Sequence, residues 1–97
     1  MYGTVFTFRA KDGKAEDVKR LVGDWITKRQ PDVAGSKSGY LYQLDSDPNE
    51  FVAVAVFRDK KSYFANAESP EQDAWFKELR ANLEADPTWM DGEVSGH

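Results

Sequence analysis

The 97-residue chain contains no cysteine. That excludes disulfides, thiol nucleophiles and cysteine-ligated metals together, and it fits a cytoplasmic protein. Histidine is almost missing as well: the single one is the last residue, His97. No Ser-His-Asp constellation can be built from it, and a terminal histidine is a poor metal or haem ligand. Basic clusters are short, limited to pairs such as Lys28-Arg29 and Lys60-Lys61, and the net charge is −4. Nucleic-acid binding leans on phosphate neutralisation, so no nucleic-acid partner is expected. No apolar run approaches the roughly 18 residues of a membrane span. The first residues, MYGTVFTFRAKDGK, lack a basic start followed by an apolar run, so they do not read as a secretory signal. No Gly-rich phosphate loop is present. Asp45-x-Asp47-x-Asn49 mimics the opening of a calcium loop, but Glu50 and Val56 stand where that loop needs Gly and Glu. The expectation is a protein with no cofactor and no metal.

What the chain does have is aromatic and apolar residues: 3 Trp, 4 Tyr, 6 Phe and an apolar fraction of 40%. Those numbers fit an ordered core and argue against disorder. The length suits a single domain, residues 1–97. Tyr2, Thr4, Phe6 and Phe8 alternate with Gly3, Val5, Thr7 and Arg9, the period of a strand, and Lys11-Asp12-Gly13-Lys14 ends it. A helix follows. Glu16 and Asp17 in its first turn and Lys28 and Arg29 in its last complement the helix dipole. Val18, Leu21, Val22, Trp25 and Ile26 form one apolar stripe, and Pro31 is a stop signal. Residues 32–39 read as a loop, Tyr40 to Leu44 as a second strand, and Phe51 to Phe57 as a third. Asp59 can cap a short helix over 60–67. Ser69-Pro70-Glu71-Gln72 predicts the next helix start, with Ser69 capping, Gln72 reaching back and Pro70 in the first turn. Trp75, Phe76, Leu79 and Leu83 would line its inner side. Trp89 to Val94 closes the chain as a fourth strand.

The order β-α-β-β-α-α-β predicts an α+β fold: a ferredoxin-like, split βαβ antiparallel sheet with helices on one face. Yet Phe51 to Phe57 is apolar at every position, and strand one sets Val5 behind Phe6 and Phe8. An antiparallel sheet that wets one face alternates instead. A second copy of the same sheet is the simplest cover for the free face, so a homodimer through the sheet faces is expected. Along strand three, Phe51, Ala53, Ala55 and Phe57 share one face and Val52, Val54 and Val56 the other. Two alanines between two aromatics leave room. That room is either the floor of a pocket or space filled by Phe6, Phe8 or Tyr42 of a partner sheet. Dense interior packing favours filling.

The stretch from Phe57 to Glu93, FRDKKSYFANAESPEQDAWFKELRANLEADPTWMDGE, resembles the C-terminal half of the antibiotic biosynthesis monooxygenase family. The resemblance extends to the KDGK turn at 11–14, the Pro31 to Gly39 loop, the DPNEF segment at 47–51 and ANAESPEQDAW at 65–75. It implies a dimeric α/β barrel made by two sheets. It also implies oxidation of a small aromatic or quinol substrate by oxygen, with no prosthetic group. By that resemblance Tyr63 would orient or help deprotonate the substrate, Asn66 would hydrogen-bond its oxygen and Trp75 would wall the ring, over Phe57, Ala53 and Ala55. Relatives that degrade haem use a first-strand Asn and a helical His. Thr4 or Thr7 and His97 are what this chain offers, so that chemistry is not expected. The rival reading is a non-catalytic dimer that binds a small apolar metabolite.

Overall fold

A computed structural model describes residues 1–96; His97 lies outside the described residues. Strand β1 (Tyr2–Arg9) leads to helix α1 (Ala15–Asp24). Next come β2 (Ser36–Gln43), β3 (Glu50–Phe57), α2 (Lys60–Ala67), α3 (Pro70–Ala81) and β4 (Thr88–Glu93). The four strands form one antiparallel sheet in the order β2-β3-β1-β4. This is the ferredoxin-like arrangement: β1 and β2 both run against β3, which is inserted between them. The sheet is open, with β2 and β4 at its edges.

Two sequence boundaries move. Pro31 does not stop the first helix. Past Asp24 the helix widens into a π-helical turn, Trp25–Arg29, and tightens into a 3₁₀ turn, Gln30–Asp32. Pro31 is accommodated there because it sits at the start of the 3₁₀ turn, where its missing N–H leaves no bond unmade. The Gly/Ser loop is also shorter than residues 32–39, because β2 begins at Ser36 and pairs with Phe57. Gly39 makes that extension possible. A Cβ there would press on Ile26 and Gln30 at 3.1 and 3.0 Å, so the missing side chain lets the first helix lie close to β2.

The helix starts follow the caps. Asp59 accepts from the Ser62 amide at 2.8 Å, and Ser69 from the Gln72 amide at 3.1 Å. Gln72 does not reach back as a capping box requires. Its Oε1 accepts instead from the Trp25 indole N–H at 2.9 Å, a tertiary bond that outcompetes the local one.

Register assigns the faces. Phe6 opposes Ala53, Phe8 opposes Phe51 and Thr4 opposes Ala55. This face lies under the helices. Phe6, Phe8, Phe51 and Ala53 pack with Val18, Val22, Leu79 and Leu83 as the core. Leu83 is held by a bridge to Ala10 beyond the end of β1. Arg9 ties two connections to the end of β1, contacting Asp47, Glu50 at 2.9 Å and Glu84 at 3.1 Å. The other face carries Val5, Tyr40, Tyr42 and Met90, which are exposed at 37, 61, 61 and 51%. No helix among the described residues is long and apolar enough to cross a membrane.

Two substitutions test this frame by chemical denaturation. Ser69→Ala should cost about 1 kcal/mol through the lost cap, with ligand binding unchanged. Gly35 has a φ of +79°, and a Cβ on it would collide with Ser62 of α2. Gly35→Ala should therefore cost more than about 1 kcal/mol.

Candidate functional site

The helices cover the sheet unevenly. At the end holding Phe8 and Phe51 the side chains interlock, with those rings stacked 5.5 Å apart. Toward the other end β3 offers Ala53 and Ala55 before Phe57, and a cavity of about 300 Å³ opens between sheet and helices. The dense filling expected above that alanine stripe does not occur. The stripe faces the helices, so a partner sheet laid on the opposite face would not bring its Phe6, Phe8 or Tyr42 to it, and this chain's own Phe6 stands in the wall.

Each element contributes a part. Thr4, Phe6, Ala53, Ala55 and Phe57 come from the sheet, Tyr63 and Asn66 from α2, and Trp75 and Phe76 from α3. Trp25 comes from the π-helical turn and Trp89 from β4. All six sequence-derived positions, Tyr63, Asn66, Trp75, Phe57, Ala53 and Ala55, therefore border one cavity. Stacking sets its walls: Phe6 on Trp89 at 4.4 Å, Trp25 against Trp75 at 6.0 Å, and Phe57 edge-on to Tyr63 at 5.5 Å.

Both helical indoles use their N–H groups inside the protein. Trp25 donates to Gln72, and Trp75 donates to the Leu21 carbonyl at 3.1 Å. Buried Trp normally finds such a partner. These bonds hold α1 and α3 at fixed separation, so Trp75 is wall and core at once.

Tyr63 is the most strongly perturbed group here. Its hydroxyl donates to Asp91 Oδ1 at 2.9 Å. Burial first, and this bond second, push its pKa up to about 12, while the Thr4 hydroxyl acts in the opposite sense. The proton stays on the phenol at neutral pH. Thr4 is 4% exposed, and its Oγ1 makes no hydrogen bond among the described residues. Asp91 comes from β4, directly opposite Thr4 on β1. No spacing rule points to it, because its position depends on the β1–β4 register. Gln72 and Trp25 were legible only as a cap and a core residue. Among the described residues no group of acids or histidines could hold a metal.

The fold and the cavity together define a ferredoxin-like α+β domain with an aromatic-walled pocket. The chain belongs to the antibiotic biosynthesis monooxygenase family, whose sequence profile matches residues 1–78. No curated protein sequence matches it. Solved structures share the fold at low identity. A proposed antibiotic biosynthesis monooxygenase of Nitrosomonas europaea is 18% identical, with a TM-score of 0.82 over 97% of this chain and 98% of that one. Its Deinococcus radiodurans counterpart is 13% identical, with a TM-score of 0.87 over 100% and 95%. A conserved protein of Methanosarcina mazei is 15% identical, with a TM-score of 0.84 over 97% and 92%.

The raised Tyr63 pKa has a stability consequence with a definite sign. A phenol whose pKa is higher folded than unfolded favours the folded chain below pH about 10. That contribution is lost as pH rises from about 10 towards 12. Tyr63→Phe should shrink the fall in melting temperature over this window. Difference absorption of phenolate against the variant should place the Tyr63 ionisation near 12.

Proposed function

We propose that this chain is a cofactor-free monooxygenase-like protein acting on a small aromatic or quinol substrate. The observation that carries the reading is the cavity of about 300 Å³ with aromatic walls and a few convergent polar groups. An aromatic ring lies over Ala53 and Ala55, edged by Phe57 and walled by Trp75. Asn66, whose amide bonds to no other side chain among the described residues and lines the cavity, hydrogen-bonds a substrate oxygen. Tyr63 orients the substrate as a neutral phenol and does not serve as a standing base. An anthrone-like ring supplies its own electrons: one atom of O₂ becomes the ring carbonyl, and the other leaves as water with the two hydrogens of that carbon.

We infer further that two copies pair through the outer sheet face into a dimeric α/β barrel. Val5, Tyr40, Tyr42 and Met90 leave that face apolar and open to solvent, and an interface of this kind should bury more than about 1,600 Å² in total. A non-catalytic binder of small apolar metabolites is the second reading. It is favoured by Asp73, the only carboxylate lining the cavity among the described residues, which is paired with Lys77 at 2.9 Å and so poorly placed as a base.

Oxygen consumption with a panel of hydroquinones and anthrones tests the activity. Turnover above the protein-free rate is expected; none at all removes the enzyme reading and leaves the binder. Asn66→Ala should weaken binding of a phenolic ligand by about 1–2 kcal/mol with little change in melting temperature. Light scattering after size exclusion should give twice the 11.0 kDa chain mass, and a monomer would exclude the barrel.

A further inference from the structure

The hydrogen-bonding state of Tyr63 determines which aromatic can occupy the cavity. A tyrosine hydroxyl has one proton to give, and here that proton points at Asp91 Oδ1, 2.9 Å away. What Tyr63 presents to the cavity is therefore the remaining lone-pair density of its oxygen. The Thr4 hydroxyl, buried beside it, has no settled hydrogen-bond partner among the described residues. The two indole N–H groups in the walls are already spent on Gln72 and Leu21. Among the described residues no Lys, Arg or His lines the cavity, whereas Asp73 and the amide of Asn66 do, and Asp91 lies directly behind Tyr63.

We propose that the Tyr63–Asp91 pair makes this cavity selective for a neutral ring bearing a free hydroxyl, rejecting both its alkyl ether and its carboxylate. A ligand hydroxyl donates to the Tyr63 oxygen. An ether oxygen can accept from Asn66 as the hydroxyl does, but it has no hydrogen to give and would face the Tyr63 oxygen lone pair to lone pair. A carboxylate meets the same acceptor with a full negative charge, near Asp91 and without a cation to offset its desolvation. Asp91 touches no ligand in this scheme. It acts through Tyr63 by fixing where the phenol proton points, so Asp91 is a specificity-determining residue at one remove. The proton held on Tyr63, with a pKa pushed up to about 12, keeps the pair intact across neutral pH.

This inference rests on the reading of the cavity as an aromatic-binding site, and the test separates the two. Affinities of 1-naphthol, 1-methoxynaphthalene and 1-naphthoate are measured by calorimetry on the full chain and on Asp91→Ala and Tyr63→Phe. Wild type should prefer naphthol to its methyl ether by about five- to tenfold, the worth of one net hydrogen bond, and should bind naphthoate weakest. Asp91→Ala frees the Tyr63 proton to donate into the cavity and removes a negative charge. The ether and the carboxylate should then bind several-fold more tightly than to wild type, a gain that a merely structural role for Asp91 cannot produce. Tyr63→Phe should bring naphthol down to the level of the ether. Asp91 is exposed on edge strand β4, so its loss should leave the fold intact, and a melting curve checks this. Equal binding of naphthol and ether by wild type overturns the inference and leaves the aromatic site standing. So does an Asp91→Ala variant that is folded but shows no gain for ether or carboxylate. Failure of all three ligands to bind overturns the aromatic-site reading and the inference with it.

Discussion

Two indole N–H groups cannot be buried without acceptors, and the geometry of the helical layer follows from where those acceptors are. An unmet donor inside the protein costs on the order of 1–3 kcal/mol. Trp25 finds Gln72 at the start of α3, and Trp75 finds the carbonyl of Leu21 in α1. The bonds cross in opposite directions between the same two elements. They fix the spacing of α1 and α3 above the sheet and leave two large rings upright between them. The alanines at 53 and 55 do not rise to meet those rings, so the space persists. The widening of the first helix into a π turn at Trp25 belongs to the same arrangement, since such turns shift side chains off the regular helical stripe.

Within that space, chemistry is set by what is withheld as much as by what is offered. The tryptophans present faces and no donors. Tyr63 presents oxygen and no proton. The one charged residue in the lining among the described residues, Asp73, is acidic, and Arg9 is at the opposite end of β1 binding Asp47, Glu50 and Glu84. That cluster is half exposed, and its contribution to stability is small by the usual measure of surface ion pairs. Its role is geometric: it pins the β2–β3 turn and the segment after α3 to one strand end.

Much of this was legible in the residues because the relevant rules are local. Alternation located β1, an unbroken apolar run located β3, the caps at Asp59 and Ser69 located α2 and α3, and the apolar stripe of the first helix named Val18, Leu21, Val22 and Trp25. The six site positions converge because α2 follows β3 directly and the alanine stripe lies on the helical face. The failures share a cause. Pro31 looked like a stop because its constraint was weighed without the 3₁₀ turn that absorbs it. Gln72 looked like half of a capping box because Trp25, 47 residues away, was not yet its neighbour. The alanine stripe looked as though it would be filled because face assignment requires register, and register is a long-range property. Asp91 was invisible for the same reason.

Strand β3 shows why the two faces must be considered together. With a side-chain period of two, Ala53 and Ala55 can floor a cavity only while Val52, Val54 and Val56 point away from the helices. Those valines are then committed to a face that the helices do not cover. A one-residue slip would place valines under Trp25 and Trp75, closing the cavity, and turn Phe51 and Phe57 outward. Pairing with β1 guards against this from the other side. Gly3 lies so close to β3 that a Cβ on it would collide with the Ala55 carbonyl, and only this register brings a glycine to that point. The open pocket and the apolar outer surface are therefore consequences of one alignment, and neither can be altered along β3 without disturbing the other.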